Sequence, residues 1–446
     1  MIEAPLYMDK VANSPMDNAS AEKIEEVQDD EDFPEGGKGW IVLASTVAGF
    51  FATFGYVNSW GVFQAYYQQK LLHHSTPSQI SWIGSVQVRN FPAHTYVAIR
   101  RTPPSQHAMI FIFALFVGRL FDIGYYRVPF AAGGALILLA TFLVPQCTEY
   151  WQFLLCQGFC IGIGSGLMFC TMITVVTHWF QKRRGFALGV TSCGGAIGAT
   201  VQPIILRQLI DRVGFPWAVR TLGFILLFFL AIPNLCIARR LPPVKAPGGL
   251  LGLHVFRNAA FSIFCVATLI SLLGLFTMST YISSSALTFG ISPGFVFYLV
   301  AIVNFSAGVG RVISGLLGDR YGPMNIMTIM TALAGVATIA WPFCRTIPTI
   351  TIISILYGAF SGAWIALIGS VVGQMGGMED IGHRIGVVNF FAGIGTICGP
   401  PISGLFLDTS LGYIAVGYFA GCSLLVASSL VFVSRWVLGP GFWRRY

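Results

Sequence analysis

Between Trp40 and Val433 the chain is a succession of long apolar runs with almost no charge inside them, and this restricts the fold more than any other feature. A hydrocarbon core about 30 Å thick is crossed by roughly 20 apolar residues in a helix. The runs fall at Trp40–Phe63, a broken second span ending near Arg119, Pro129–Pro145, Trp151–Thr177, Gly185–Leu209 and Trp217–Ala238. They continue at Ala259–Ser285, Gly294–Leu317, Met324–Phe343, Thr349–Met375, Ile385–Leu407 and Gly412–Val433. A bilayer offers no water to peptide groups, so a spanning segment is either a helix or a strand of a closed barrel. Barrel strands alternate apolar and polar residues, whereas these runs are continuous, which predicts helices. Only 10% of residues are charged, against about 25% in soluble domains, and this excludes a water-exposed exterior. The expected fold class is an all-α membrane protein with about 12 transmembrane helices.

Charge is partitioned along the chain. Of the 18 acidic residues, 11 precede Trp40, so residues 1–39 read as a disordered acidic tail without an apolar segment of its own. Lys182, Arg183 and Arg184, then Arg239, Arg240, Lys245 and Arg257, then Arg320, Arg384, Arg444 and Arg445 fall on one side of the expected spans. The other side holds chiefly Lys70, Arg212 and Arg345. Loops rich in Lys and Arg remain cytoplasmic. The expected organisation is a tail at 1–39, a six-helix half at 40–238, a cytoplasmic linker at 239–258, a second half at 259–436 and a short tail at 437–446. Both termini are expected in the cytoplasm of a multi-pass cell-membrane protein. The net charge of +8 then belongs to loops at a lipid surface, and no nucleic-acid partner is expected.

The two halves repeat. Gly118 and Asp122 recur as Gly315 and Asp319, Gly189 and Val190 as Gly386 and Val387, and Gly198 and Pro203 as Gly395 and Pro400, always at an offset of 197. A parallel repeat of about six spans is the architecture of major facilitator transporters, whose cavity lies between the halves near mid-membrane. Gly118-Arg119-Leu120-Phe121-Asp122-Ile123-Gly124 and Gly315-Leu316-Leu317-Gly318-Asp319-Arg320-Tyr321-Gly322 resemble that superfamily's G-x-x-x-D-R-x-G loop. A carboxylate at a helix end can accept hydrogen bonds from the N-terminus of a neighbouring helix and latch one conformation. Gly118, Asp122, Gly315, Asp319 and Arg320 are therefore the candidate latch. The second copy is the fuller match. With Ile123 where a basic residue is usual, the first is expected to be the weaker latch.

Arg311 is the candidate binding residue with the strongest physical argument. A guanidinium within an apolar span costs several kcal/mol, about 3 on insertion scales, unless it faces a partner or a wet cavity. Anion recognition follows from that placement; the alternative is an arginine satisfied by backbone carbonyls or close enough to a helix end to snorkel. Asn304 lies two helical turns earlier on nearly the same face, and Asn58, Trp364 and Asn389 are further candidates by span position. Four-residue glycine spacing, as at Gly158, Gly162 and Gly166, reads as close helix packing. The ten cysteines form no C-x-x-C pair, His178, His254 and His383 are expected in loops, and no phosphate-binding glycine loop occurs. No enzyme, metal site or cofactor is expected.

A narrower likeness is carried by two segments. Pro34-Glu35-Gly36-Gly37-Lys38-Gly39-Trp40 resembles the signature preceding the first span of the monocarboxylate porter family. Trp179-Phe180-Gln181-Lys182-Arg183-Arg184-Gly185-Phe186-Ala187-Leu188-Gly189 resembles its second signature, opening span five. The segment 56–64 and the Asn304–Arg311 spacing are similar to the filamentous-fungal branch. Animal members have a lysine where this chain has Asn58 and an aspartate where it has Ala307, so their proton-linked carboxylate transport is not implied. What the resemblance implies is a secondary active or facilitative carrier, symporter or uniporter, moving a small organic, anionic, monocarboxylate-like metabolite by alternating access. An efflux carrier for a fungal secondary metabolite is the alternative, and a non-transporting membrane receptor a third. No acidic residue falls at mid-span, so weak dependence on a proton gradient is expected. Oligomeric state leaves no mark on the sequence.

The second span is interrupted by VRNFPAHTYVAIRRTPPSQ at 88–106, which no lipid-facing helix could carry. Removing it joins residues 80–87 to 107–118 and restores about 20 residues of spanning composition. The expected origin is a translated retained intron or a gene-prediction error, with a genuine extracellular or cavity-lining insertion as the alternative. Transcript sequencing should return a shorter message, and a protein lacking residues 88–106 should insert and transport better than the full chain. An active full-length product encoded by the sole transcript would make the insertion real.

Overall fold

A computed structural model describes residues 36–71, 105–243 and 252–439. Most of residues 1–39, 88–106 and 437–446, the expected tails and the interruption, lies outside the described residues. The described chain is all-helical. Its spans are α1 (Lys38–Tyr66), α2 (Ser105–Ile123), α3 (Arg127–Gln146), α4 (Tyr150–Trp179), α5 (Arg184–Val213) and α6 (Phe215–Cys236). They continue with α7 (Ala259–Thr288), α8 (Pro293–Tyr321), α9 (Pro323–Phe343), α10 (Ile347–Gln374), α11 (Met378–Leu407) and α12 (Tyr413–Leu438). All but α2 are long and apolar enough to cross a bilayer by their described residues, which gives 11 such helices. Large apolar side chains such as Phe228, Leu235, Phe305 and Val336 stand exposed on their outer faces, as lipid contact requires.

Packing follows the repeat. In the first half α5 lies on α1 and α2 on α4; in the second, α11 lies on α7 and α8 on α10. The halves meet along two seams, α2 on α11 and α5 on α8. Glycines make the seams close: a Cβ on Gly118 would overlap the carbonyl of Gly382, and one on Gly315 that of Gly185. These two contacts are related by the same offset of 197.

Two helices are broken where the cavity begins. In α1 the break is at Ser59, between Gly55 and Gly61, and the Ser59 hydroxyl donates to the Gly55 carbonyl at 2.8 Å. In α7 it is at Phe276, after Gly274. Gly/Ser pairs are recurrent causes of such kinks. Behind α1, Tyr67 donates to Gln157 at 2.7 Å and Gln157 to Tyr56 at 3.3 Å, tying α1 to the π-helical stretch of α4. The two signature segments also meet: Trp40 packs edge-on against Phe180 at 5.5 Å and Phe186 at 6.4 Å, and Trp179 donates to the Ala238 carbonyl at 2.8 Å.

Candidate functional site

One end of the bundle carries Lys182, Arg184, Arg239, Arg320 and Arg384, and here both seams are sealed by paired carboxylates. At the end of α8, Asp319 accepts from the backbone N–H of Gly185 at 2.7 Å and of Phe186 at 2.8 Å, at the start of α5. At the end of α2, Asp122 accepts from Gly382 at 3.0 Å and His383 at 2.7 Å, near the start of α11. Each carboxylate thus meets free amide groups and the positive end of a helix dipole. Asp122 is only 1% exposed, so its bonds face no competition from water. Ile123 removes a cation from the first copy, yet Asp122 accepts two backbone amides just as Asp319 does. A different cation stands in, since Arg239 from the segment after α6 donates to the carbonyls of Phe121 and, at 2.9 Å, Asp122. Burial pushes the Arg239 guanidinium below its usual pKa and the Asp122 carboxylate draws it back up. Arg320 stands apart from the hydrogen-bonded contact, exposed over the Tyr321 ring at 5.3 Å.

The halves are tied once more, deeper in the same seam. Arg311 on α8 is 9% exposed and donates through Nη1 to the Ser192 carbonyl on α5 at 2.5 Å, while its Nε has no partner. At the offset of 197 its counterpart is Ala114, so this tie has no mirror in the α2–α11 seam. Ser192 itself corresponds to Asn389, which is buried, with Nδ2 bonded to the Ile385 carbonyl at 2.8 Å and Oδ1 unpartnered.

Above these ties a cavity of about 540 Å³ opens between the halves. Its deep end is formed by Asn58 after the long arm of α1, Ala199 and Thr200 on α5, Thr280 past the break in α7, and Ala301 on α8. Toward the other end of the bundle it is lined by Tyr66, Arg207, Asp211, Ser283, Pro293 and Phe297. From Ala199 to Asp211 along α5 is about 18 Å at the helical rise.

The five expected binding residues are therefore divided. Asn58 lines the cavity, its Nδ2 turned back to the Phe54 carbonyl at 2.8 Å. Asn304, with Nδ2 unpartnered, sits one turn beyond Ala301, just outside the lining. Arg311, Trp364 and Asn389 are buried on the sealed side, Trp364 stacked on Phe264 at 6.1 Å with its Nε1 unpartnered. Sequence reasoning passed over Arg207, Asp211 and Phe297. The available signal was the i, i+4 spacing of Arg207 and Asp211 on one helix face. The expected span five ended at Leu209, but α5 continues to Val213 and carries Asp211 into the wall. Histidines were misplaced too: His178 lies in the last turn of α4 and His383 in α11, both buried, the former edge-on to Phe121 at 5.0 Å.

A family model described as Major Facilitator Superfamily matches residues 45–287 and 264–444. "MFS-type transporter 1" of Ophiocordyceps sp. (strain BCC 1869) is 32% identical over 415 residues, covering 92% of this chain and 88% of the relative. "Aspyridones efflux protein apdF" of Emericella nidulans is 32% identical over 414 residues, 92% of this chain and 80% of the relative. "Agnestins efflux protein AgnL12" of Paecilomyces divaricatus is 29% identical, with 90% and 88% covered. Among solved structures, the human organic anion transporter MFSD10 (TETRAN) shares the fold with a TM-score of 0.68 at 13% identity, over 91% of this chain and 100% of that one. The transporter FucP in the outward conformation gives 0.66 at 14% identity, over 89% and 99%.

Proposed function

Because the chain belongs to the major facilitator superfamily and is a multi-pass membrane transporter rather than an enzyme, we propose that it exports an organic, anionic secondary metabolite by alternating access. The observation that carries this reading is the cavity between α1, α5, α7 and α8, closed at the basic end by both carboxylate latches and open toward the other. With the basic end in the cytoplasm, the side that loops rich in Lys and Arg favour, the cavity faces outward, the state in which an exporter releases its cargo. Two relatives are named for efflux of aspyridones and agnestins, which supports export of a compound of that general kind. The guanidinium of Arg207, exposed in the cavity wall, supports an acidic cargo. A cavity of about 540 Å³ is in the range of drug-sized ligands, not of a three-carbon acid.

Flux tests this directly. Proteoliposomes holding the transporter should move acidic metabolites from a producer's culture extract, and protein-free vesicles should not. Solute movement no faster than in protein-free vesicles would leave a receptor as the reading. Energy coupling follows from the wall: among the described residues its one carboxylate is Asp211, which stands exposed at the wide end and not at mid-membrane. Collapsing the proton gradient at fixed external pH should therefore reduce flux of a non-ionisable analogue by less than about twofold, since coupling needs a group whose affinity for protons differs between the two states. Loss of most uphill accumulation would show that such a group exists.

A further inference from the structure

Arg207 and Phe297 face one another across the cavity, the first from α5 in one half and the second from α8 in the other. The guanidinium lies over the Phe297 ring with its carbon 4.4 Å from the ring centroid. It is exposed to the cavity and bound to no carboxylate or carbonyl among the described residues. A cation–π contact uses none of the guanidinium's N–H donors, which leaves them available to receive a carboxylate in two parallel bonds. Ile204, Ile210, Pro293 and Val300 give the same wall apolar surface for a scaffold, and Tyr66 and Ser283 add neutral hydroxyls but no second cation. Asp211, one turn on, repels a second negative charge at the wide end.

Depth separates this arginine from Arg311. Ser192, which Arg311 holds, and Arg207 are both on α5, 15 positions or about 22 Å of helix apart. In the state described here Arg311 is sequestered and Arg207 is open to the cavity. We propose that Arg207, backed by the Phe297 ring, is the anion-recognising residue of the cavity when it faces away from the basic end. Its ligand is a mostly apolar organic acid bearing one carboxylate, and Asp211 acts as the selectivity element that rejects dianions. The proposal rests on the cavity being the transport pathway, and it names the group that reads the charge of the cargo there.

The test uses purified full-length protein and two probes of one shape, naphthoate and its uncharged amide, naphthamide, titrated by calorimetry. The wild type should bind naphthoate at least about tenfold more tightly than naphthamide, the difference expected for a charge-assisted bidentate pair. In Arg207→Gln that preference should vanish with naphthamide affinity unchanged, and Arg207→Lys should restore it only in part. Asp211→Asn should admit naphthalene dicarboxylate, which the wild type refuses. Equal binding of the two probes by wild type, no binding of either, or an undiminished preference in an Arg207→Gln protein of normal elution profile would each overturn the assignment. Vesicle flux separates the two layers: a naphthoate preference that depends on Arg207 without solute movement would remove the transport reading and leave the anion site standing.

Discussion

Converting both latch aspartates together, Asp122→Asn with Asp319→Asn, should release the basic end and turn the cavity toward it. Each carboxylate accepts two backbone amides of a helix start in the other half, and these contacts exist only while that end is sealed. Hydrogen bonds to a charged group contribute about 1.5–3 kcal/mol. An asparagine keeps an acceptor oxygen but loses the charge and its attraction to the helix dipole. Losing about 1.4 kcal/mol at each site moves the equilibrium roughly tenfold, and the two together about a hundredfold. Cys193 reports the change, because it lies on α5 beside Ser192, with its sulfur 3.5 Å from where a Cβ on Gly308 of α8 would stand. In a protein with the other cysteines replaced, a membrane-impermeant maleimide added at the basic face should label Cys193 slowly in the parent and at least tenfold faster in the double variant. Single variants should fall between, and by similar amounts, because the two latches have the same geometry. A labelling rate that does not change would mean that the seams are held by helix packing alone.

Arg311→Ala should reduce flux at least about tenfold, the loss expected from removing one or two hydrogen bonds of a buried charge. Two effects are combined in that number. The side chain ties α8 to the Ser192 carbonyl in the sealed state, and the second role expected of it is to offer its freed donors to cargo once the seam parts. Arg311→Lys distinguishes them, because an ammonium can reach one carbonyl but cannot present a planar fork to a carboxylate. If the tie is the whole role, the lysine variant should label at Cys193 like the parent and retain flux. If cargo is bound as well, it should label like the parent yet transport poorly. Unchanged flux in a well-expressed alanine variant would leave Arg311 a packing residue.

Legibility in the sequence varied with the kind of contact. The helices were legible because continuous apolar runs have one solution in a bilayer, and the pairing of the halves because the offset of 197 that relates Gly118 to Gly315 also relates Gly185 to Gly382, the glycines they meet. Asp122 and Asp319 were legible as helix-end carboxylates. Their strengths were not, since the acceptor's partners are backbone amides, and a backbone amide is the same under every side chain. The Ser192 carbonyl that holds Arg311 was invisible for the same reason. The cavity was misjudged by depth: candidates were sought at mid-span, whereas sealing at the basic end displaces the open volume along α5 to Arg207 and Asp211.

The seams at the basic end are made where backbone meets backbone, at Gly118 with Gly382 and Gly315 with Gly185, while the cargo wall farther out is made of side chains. These two surfaces draw on different stretches of the same helices, and that partition sets what drift can do to a transporter of this design. Any side chain introduced at those four glycines jams the switch for every cargo at once, so descent has no room there. At Arg207, Phe297 or Thr280 a replacement alters only which molecule is accepted, and a lineage can exchange one exported compound for another without relearning how to move.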